Sequence, residues 1–102
     1  MRLRIGGYLI PERVLTSVSF IEGTPTVTFA GMAMEGDGSV IESTLRKLVW
    51  TNALQYDVVD QMGIHGAGVC SLANLKFETL STSPKMVIFS GELILPSLNI
   101  AS

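Results

Sequence analysis

Apolar and polar residues alternate along much of the chain, with the period of two that marks a half-buried strand. From Met1 to Ile10, Arg2 and Arg4 fall on one side and Leu3 and Ile5 on the other, with Gly6-Gly7 as an interruption and Pro11 as a stop. Val14, Val18 and Phe20 alternate with Leu15, Ser17 and Ser19, which predicts a second strand, and Glu22-Gly-Thr-Pro25 a turn. The third strand is expected from about Thr26 to Met34. There the apolar set passes from Val27 and Phe29 to Met32 and Met34, one residue out of phase, and a bulge near Gly31 would account for the shift. Val69 to Thr79 and Lys85 to Leu95 make a last pair of strands around Ser81-Thr-Ser-Pro84. Met86, Val87, Ile88 and Phe89 are apolar in succession, so both faces of that strand should be covered.

One stretch breaks the alternation. In Asn52 to Met62, Leu54, Val58, Val59 and Met62 fall on one helical face, and Asp57, Asp60 and Gln61 on the other. Asn52 and Gln55 suit a capping box, and Gly63 suits the helix end. A helix over 52–62 is the expectation. Glu35-Gly-Asp-Gly-Ser39 precedes it, and Asp-Gly is a strong hairpin signal. Val40 to Trp50 then fits two patterns. Ile41, Leu45, Leu48 and Val49 have helical spacing behind a Ser39/Glu42 capping box, while the Val, Ile, Thr and Trp content suits a strand returning from the turn. A continuous helix over 40–62 would be about 34 Å long, close to the width of such a domain. The strand is preferred. The predicted fold is therefore α+β and mainly antiparallel β: a small barrel or sandwich of about six strands with one helix, as a single domain over 1–102.

Composition adds a statement about surfaces. Of the 102 residues, 47% are hydrophobic and only 16% are charged, and the mean hydropathy is +0.43; soluble chains carry about 25% charged residues. A domain this small has much surface per residue, so apolar area is left outside, and contiguous exposed patches mark interfaces. Copies of the same chain are the expected partner. Interface candidates are Met32, Met34, Leu45, Trp50, Ile88, Leu98 and Ile100, with Trp50 as anchor, since tryptophans dominate contact energies. No apolar run approaches the about 20 residues of a spanning helix. Arg2 and Arg4 do not precede a signal-peptide core, and a lone Cys70 fits a reducing compartment, so the expected site of synthesis and assembly is a cytoplasm. Seven basic residues and a net charge of −2 are a poor footprint for sequence-specific nucleic-acid binding.

Candidate chemistry is sparse. His65 and Cys70 could form a nucleophile with its base, but a lone Cys in a strand usually acts as a small buried hydrophobe. Neither a metal site nor a cofactor site is expected: no ligand spacing is present, and the glycines of Gly63-Ile-His-Gly-Ala-Gly68 follow the predicted helix, whereas a phosphate loop precedes one. Glu35, Asp37, Ser39 and Glu42 do not match a calcium loop. No enzyme is predicted.

The order of a long hairpin around Glu35-Gly-Asp-Gly-Ser39, a helix from Asn52 to Met62 and a hairpin from Val69 to Leu95 covers about two thirds of the chain. It resembles the ring-forming tube subunits of phage tails and the related Hcp secretion proteins. The resemblance implies a virion or phage-like tail subunit, forming homo-oligomeric rings that stack into a tube and that other virion proteins could join. It also implies acidic hairpin residues Glu35, Asp37 and Glu42 facing the channel. A capsid-decorating or neck protein is a second possibility. A third is a β-barrel holding an apolar ligand among Met32, Met34, Met86 and Phe89.

Overall fold

The computed structural model describes residues 1–80, 84–96 and 100–101, the last two by backbone alone. The elements run β1 (Arg2–Ile5), β2 (Tyr8–Ile10), a 3-10 turn (Glu12–Val14), β3 (Leu15–Ile21), β4 (Thr26–Met34), α1 (Glu35–Leu48), β5 (Leu54–Val59), β6 (His65–Leu80), β7 (Met86–Ile94) and β8 (Ile100–Ala101). This is the expected α+β, mainly antiparallel class, with one helix among the described residues.

The strands form one open antiparallel sheet in the order β2-β1-β5-β6-β7-β4-β3, with β8 on β6. β6 joins the two halves of the sheet. Its first six residues pair with β5, and the run from Ser71 to Leu80 pairs with β7. Ile10 and Val18, from the two edge strands, belong to the same buried cluster as Phe29, Val58 and Phe89. The sheet therefore wraps around one core without closing into a barrel.

The helix is displaced from its expected place, and packing explains both halves of the correction. In 54–59, Leu54, Tyr56 and Val58 are buried while Gln55 is exposed and Asp57 and Val59 are half-buried, so the stretch is β5. Leu54 and Val58 satisfy both periods, but Tyr56 fits only the period of two, and the neighbouring strands β1 and β6 hold it there. The helix instead begins where the hairpin was expected. Gly38 is not a turn residue: its α-carbon lies against Val87, and an added Cβ would stand 2.6 Å from that side chain. With Gly38 as the point of contact, Ile41 and Leu45 follow on one buried stripe. Glu35 and Asp37 in the first turn and Arg46 and Lys47 in the last complement the helix dipole.

Two smaller corrections bear on the surface. Gly6 and Gly7 have φ of 56° and 83° and make the β1–β2 hairpin turn, so Met1–Ile10 is two strands and not one. No bulge occurs in β4 at Gly31, since β4 pairs with β7 without a break from Thr26 to Met34. The irregularity lies in the neighbouring strand: Leu15 pairs with Gly31 and Ser17 with Ala30, so Thr16 of β3 is the extra residue. Val27, Phe29, Gly31 and Ala33 are all buried, with Gly31 leaving room for the Phe89 ring. With no bulge in β4 to flip them, Met32 and Met34 face outward.

Candidate functional site

The outward phase of Met32 and Met34 builds the most prominent feature of the molecule. Met32 stands opposite Ile88, and Met34 opposite Met86. On the far side of β7, Ile88 stands opposite Glu78 and Met86 opposite Leu80. Directly paired residues share a face, so Met32, Met34, Met86, Ile88 and Leu80 form one apolar patch over three adjacent strands, with the exposed Glu78 at its border beside Ile88. Met32 is 43% exposed, Met34 47% and Ile88 37%, while Met86 and Leu80 are half-buried. No methionine of this chain lies in the buried core. Methionine is flexible and polarizable, and it packs against irregular apolar surfaces. Beside the patch the same face turns polar: Ser17, Thr28, Ala30, Lys76, Ser90 and Glu92 line a shallow depression.

The other interface candidates separate. Trp50 follows the last turn of α1 and is 87% exposed, which rules out a place in the monomer core. It lies beside Arg46, Val49, Asn74 and Leu75. This is the helix side of the sheet, where the Arg46 guanidinium stacks 4.8 Å above the Phe77 ring, and so away from the methionine patch. Leu45 is fully buried between α1 and the sheet, so it is a core residue and not an interface residue. Leu98 lies outside the described residues, and so does the side chain of Ile100. Sequence alone missed Leu80 and Met86 as members of the patch. Their signal was strand register, which single-chain alternation does not carry.

A polar cluster was missed altogether. Arg2 Nη2 donates to both carboxylate oxygens of Asp57, at 3.2 and 3.0 Å. His65 Nε2 lies 2.7 Å from Asp57 Oδ1. The three side chains come from β1, β5 and β6, and Arg4 is the register partner of Asp57. Burial disfavours the Asp57 carboxylate, but hydrogen bonds from His65 and Arg2, and the charge beside it, outweigh that and hold its pKa below the usual value. The cluster tethers three strands on the outer face.

Cys70 is not paired with His65. It is buried on the core side opposite Leu54, five residues along β6 from the outward His65. Burial pushes its thiol up to about 11, the opposite of what a nucleophile needs. Among the described residues no three His, Cys, Asp or Glu side chains gather as a metal site would require. The four residues of the alternative apolar-ligand reading do not line one cavity: Met32, Met34 and Met86 face outward while Phe89 is in the core. The acidic residues expected at a hairpin tip lie on α1 and are each paired, Glu35 with Lys85 (3.8 Å), Asp37 with Arg13 (2.8 Å) and Glu42 with Arg46 (2.8 Å).

No protein family, curated protein or solved structure matches this chain. Of the three points of arrangement on which the expected resemblance to tail-tube subunits was based, the hairpin over 69–95 stands as β6–β7, and the 35–39 hairpin and the 52–62 helix do not.

Proposed function

We propose that this chain is a non-enzymatic structural subunit that assembles with copies of itself, and that the particle is of the phage-virion or phage-tail kind. The observation that carries the assembly reading is the outer patch of Met32, Met34, Met86, Ile88 and Leu80. A monomer of this size gains nothing from leaving five large apolar side chains partly exposed side by side; full burial of one such side chain from water is worth about 1.5–3 kcal/mol, and covering the exposed part of each is worth a fraction of that. Trp50 adds a second exposed apolar group on the helix side of the same sheet. Contacts on two opposite sides propagate into rings or filaments, whereas a single self-complementary face stops at a dimer. The low charged fraction, 16%, agrees with a surface meant to be covered. The narrower virion reading rests on the hairpin over 69–95 alone, the point of the arrangement that remains.

Sedimentation velocity of the purified chain tests the reading. The expected species is a ring or larger polymer, well above the 11.0 kDa of one chain. Ile88→Lys places a charge in the middle of the patch and should reduce the mass of the assembly while leaving far-UV dichroism unchanged. Trp50→Ala should also leave the protomer folded. A wild-type chain that stays monomeric at micromolar concentration overturns the assembly reading. Negative-stain images showing rings or tubes would support the tail reading over a decorating or neck protein.

A further inference from the structure

The open edge of the sheet at β3 is a second feature that the monomer leaves unfinished. β3 pairs with β4 on one side, and no strand lies on its other side among the described residues. Natural edge strands are protected by shortness, charge, proline or a bulge. The opposite edge, β2, has three residues and is followed by Pro11. β3 has seven, Leu-Thr-Ser-Val-Ser-Phe-Ile, with neither a charge nor a proline. Its protection is confined to one end. The bulge sits at Thr16, and the Thr16 carbonyl accepts a long hydrogen bond from Gln61 Nε2, at 3.3 Å, a side chain standing in for a strand. Ser17 to Ile21 is regular; the Ile21 carbonyl accepts from the Thr24 hydroxyl and amide of its own turn, at 3.1 and 3.2 Å, and among the described residues no strand covers the free edge of the run.

We propose that the run from Ser17 to Ile21 pairs with the same run of a second copy about a two-fold axis through Ser19, joining the two sheets into one. This pairing deepens the assembly reading and shares with it only the identity of the partner. Antiparallel pairing must set like faces opposite each other. Ser17, Ser19 and Ile21 lie on the outer face, while Val18, opposite the buried Phe29, and Phe20, opposite the buried Val27, lie on the core face. The register centred on Ser19 keeps both faces. It puts Ser19 opposite itself, Ser17 opposite Ile21 twice, and Val18 opposite Phe20 twice. A two-fold contact needs this kind of self-complementarity. No charge is desolvated, and two incompletely covered apolar side chains gain a neighbour: Ile21 is 38% exposed, and Phe20 is half-buried at the margin of the core.

The Gln61 contact sets the limit of the paired run. Asp60 holds its turn from within: it is buried, and its Oδ1 accepts from the amides of Met62 and Ile64 at 2.8 and 2.9 Å. The turn therefore presents Gln61 beside Thr16 in a fixed position. In the paired state Thr16 comes opposite Glu22 of the other copy, just past the last matched pair, so Gln61 keeps its contact and the two strands end there. Met62 of the same turn is 85% exposed and stands at the rim of the joined sheets.

A charge-matching experiment tests this. On a background carrying both Ile88→Lys and Trp50→Ala, which removes the outer-patch contact and the helix-side anchor, the chain is expected to sediment as two copies. Adding Ser17→Lys with Ser19→Lys sets like charges directly opposite each other at position 19 and diagonally from position 17, and should give the 11.0 kDa monomer. Adding Ser17→Glu with Ser19→Glu should do the same. Mixing the lysine and glutamate proteins one to one should restore the two-copy species. Retention of that species in either charged variant, or no recovery on mixing, overturns the β3 pairing. If a variant does not fold by far-UV dichroism, hydrogen exchange of the wild-type chain decides. The outward amides of β3 should be protected at high concentration and lose that protection on dilution; protection independent of concentration overturns the pairing. A wild-type chain that stops at two copies and is parted by the charges supports the edge contact and overturns the wider assembly. Large assemblies that survive both charge pairs but not Ile88→Lys do the reverse.

Discussion

Gly36 and Gly38 lie two residues apart in the first turns of α1, and the structure assigns them opposite fates on substitution by alanine. A Cβ at Gly36 meets nothing within 4 Å, whereas one at Gly38 would stand 2.6 Å from both Cβ and Cγ2 of Val87. Neither glycine has a positive φ. Alanine in a helix interior is worth about 1 kcal/mol over glycine, and somewhat less near an end. Gly36→Ala should therefore stabilise the fold by about 0.5–1 kcal/mol, partly by restricting the unfolded chain. Gly38→Ala gains the same helix preference but forces α1 away from β7, and overpacking costs about 1–3 kcal/mol. Strain exceeds propensity there, because Val87 is buried and fixed in the middle of the sheet. The net effect should be a loss of about 1–2 kcal/mol. With a urea slope of about 1–2 kcal/mol/M, the two midpoints should separate by roughly 1 M or more, in opposite directions from wild type. Val87→Ala should reduce the Gly38→Ala penalty, and the coupling between the two sites should be at least about 0.5 kcal/mol. Far-UV dichroism during urea titration is the assay. If both alanines destabilise alike, the stretch is a turn, as Asp37-Gly38 would suggest from sequence; if both stabilise alike, α1 does not rest on β7.

The Asp57 cluster predicts a pH dependence. A carboxyl whose folded pKa is depressed contributes stability above its unfolded pKa of about 3.9, and that contribution disappears as pH falls through the folded value. Urea midpoints should therefore drop between about pH 5 and pH 3, and Asp57→Asn should flatten part of that drop; the cluster is partly exposed, so the effect should stay below about 1 kcal/mol. An unchanged slope in Asp57→Asn would remove the cluster from the account. Cys70, with its thiol pushed up to about 11 by burial, should react with iodoacetamide far more slowly than a free thiol at pH 8, and Cys70→Ala should lower the urea midpoint without changing the mass of the assembly. Alkylation at or above the free-thiol rate would place Cys70 at an accessible, activated site.

The class of the fold was legible in the sequence because alternation is a local property. β4 was placed from Thr26 to Met34 by its own residues, and the hairpin of β6 with β7 by two apolar runs around a polar turn. Low charge content likewise pointed to an apolar surface, without saying where on the fold it lies. The sequence did not determine which of two compatible periods a segment adopts. Leu54 and Val58 suit a helix and a strand alike, and Ile41 and Leu45 do as well; the neighbours available on each side decided both cases. β1 and β6 claimed 54–59 as a strand between them, and the surface of β7 beside Gly38 claimed 35–48 as a helix. The patch was legible only in part for the same reason. Met32, Met34 and Ile88 were interface candidates from sequence, but only the register of β4, β7 and β6, with Gly31 and Ala33 in the core positions, sets them on one face with Met86 and Leu80. Asp57 meets Arg2 55 residues away along the chain, and only the pairing of β1 with β5 brings them together. Periodicity along one strand fixes which residues share a face, but which face meets the core, and which residues of other strands lie beside it, depends on contacts between distant parts of the chain.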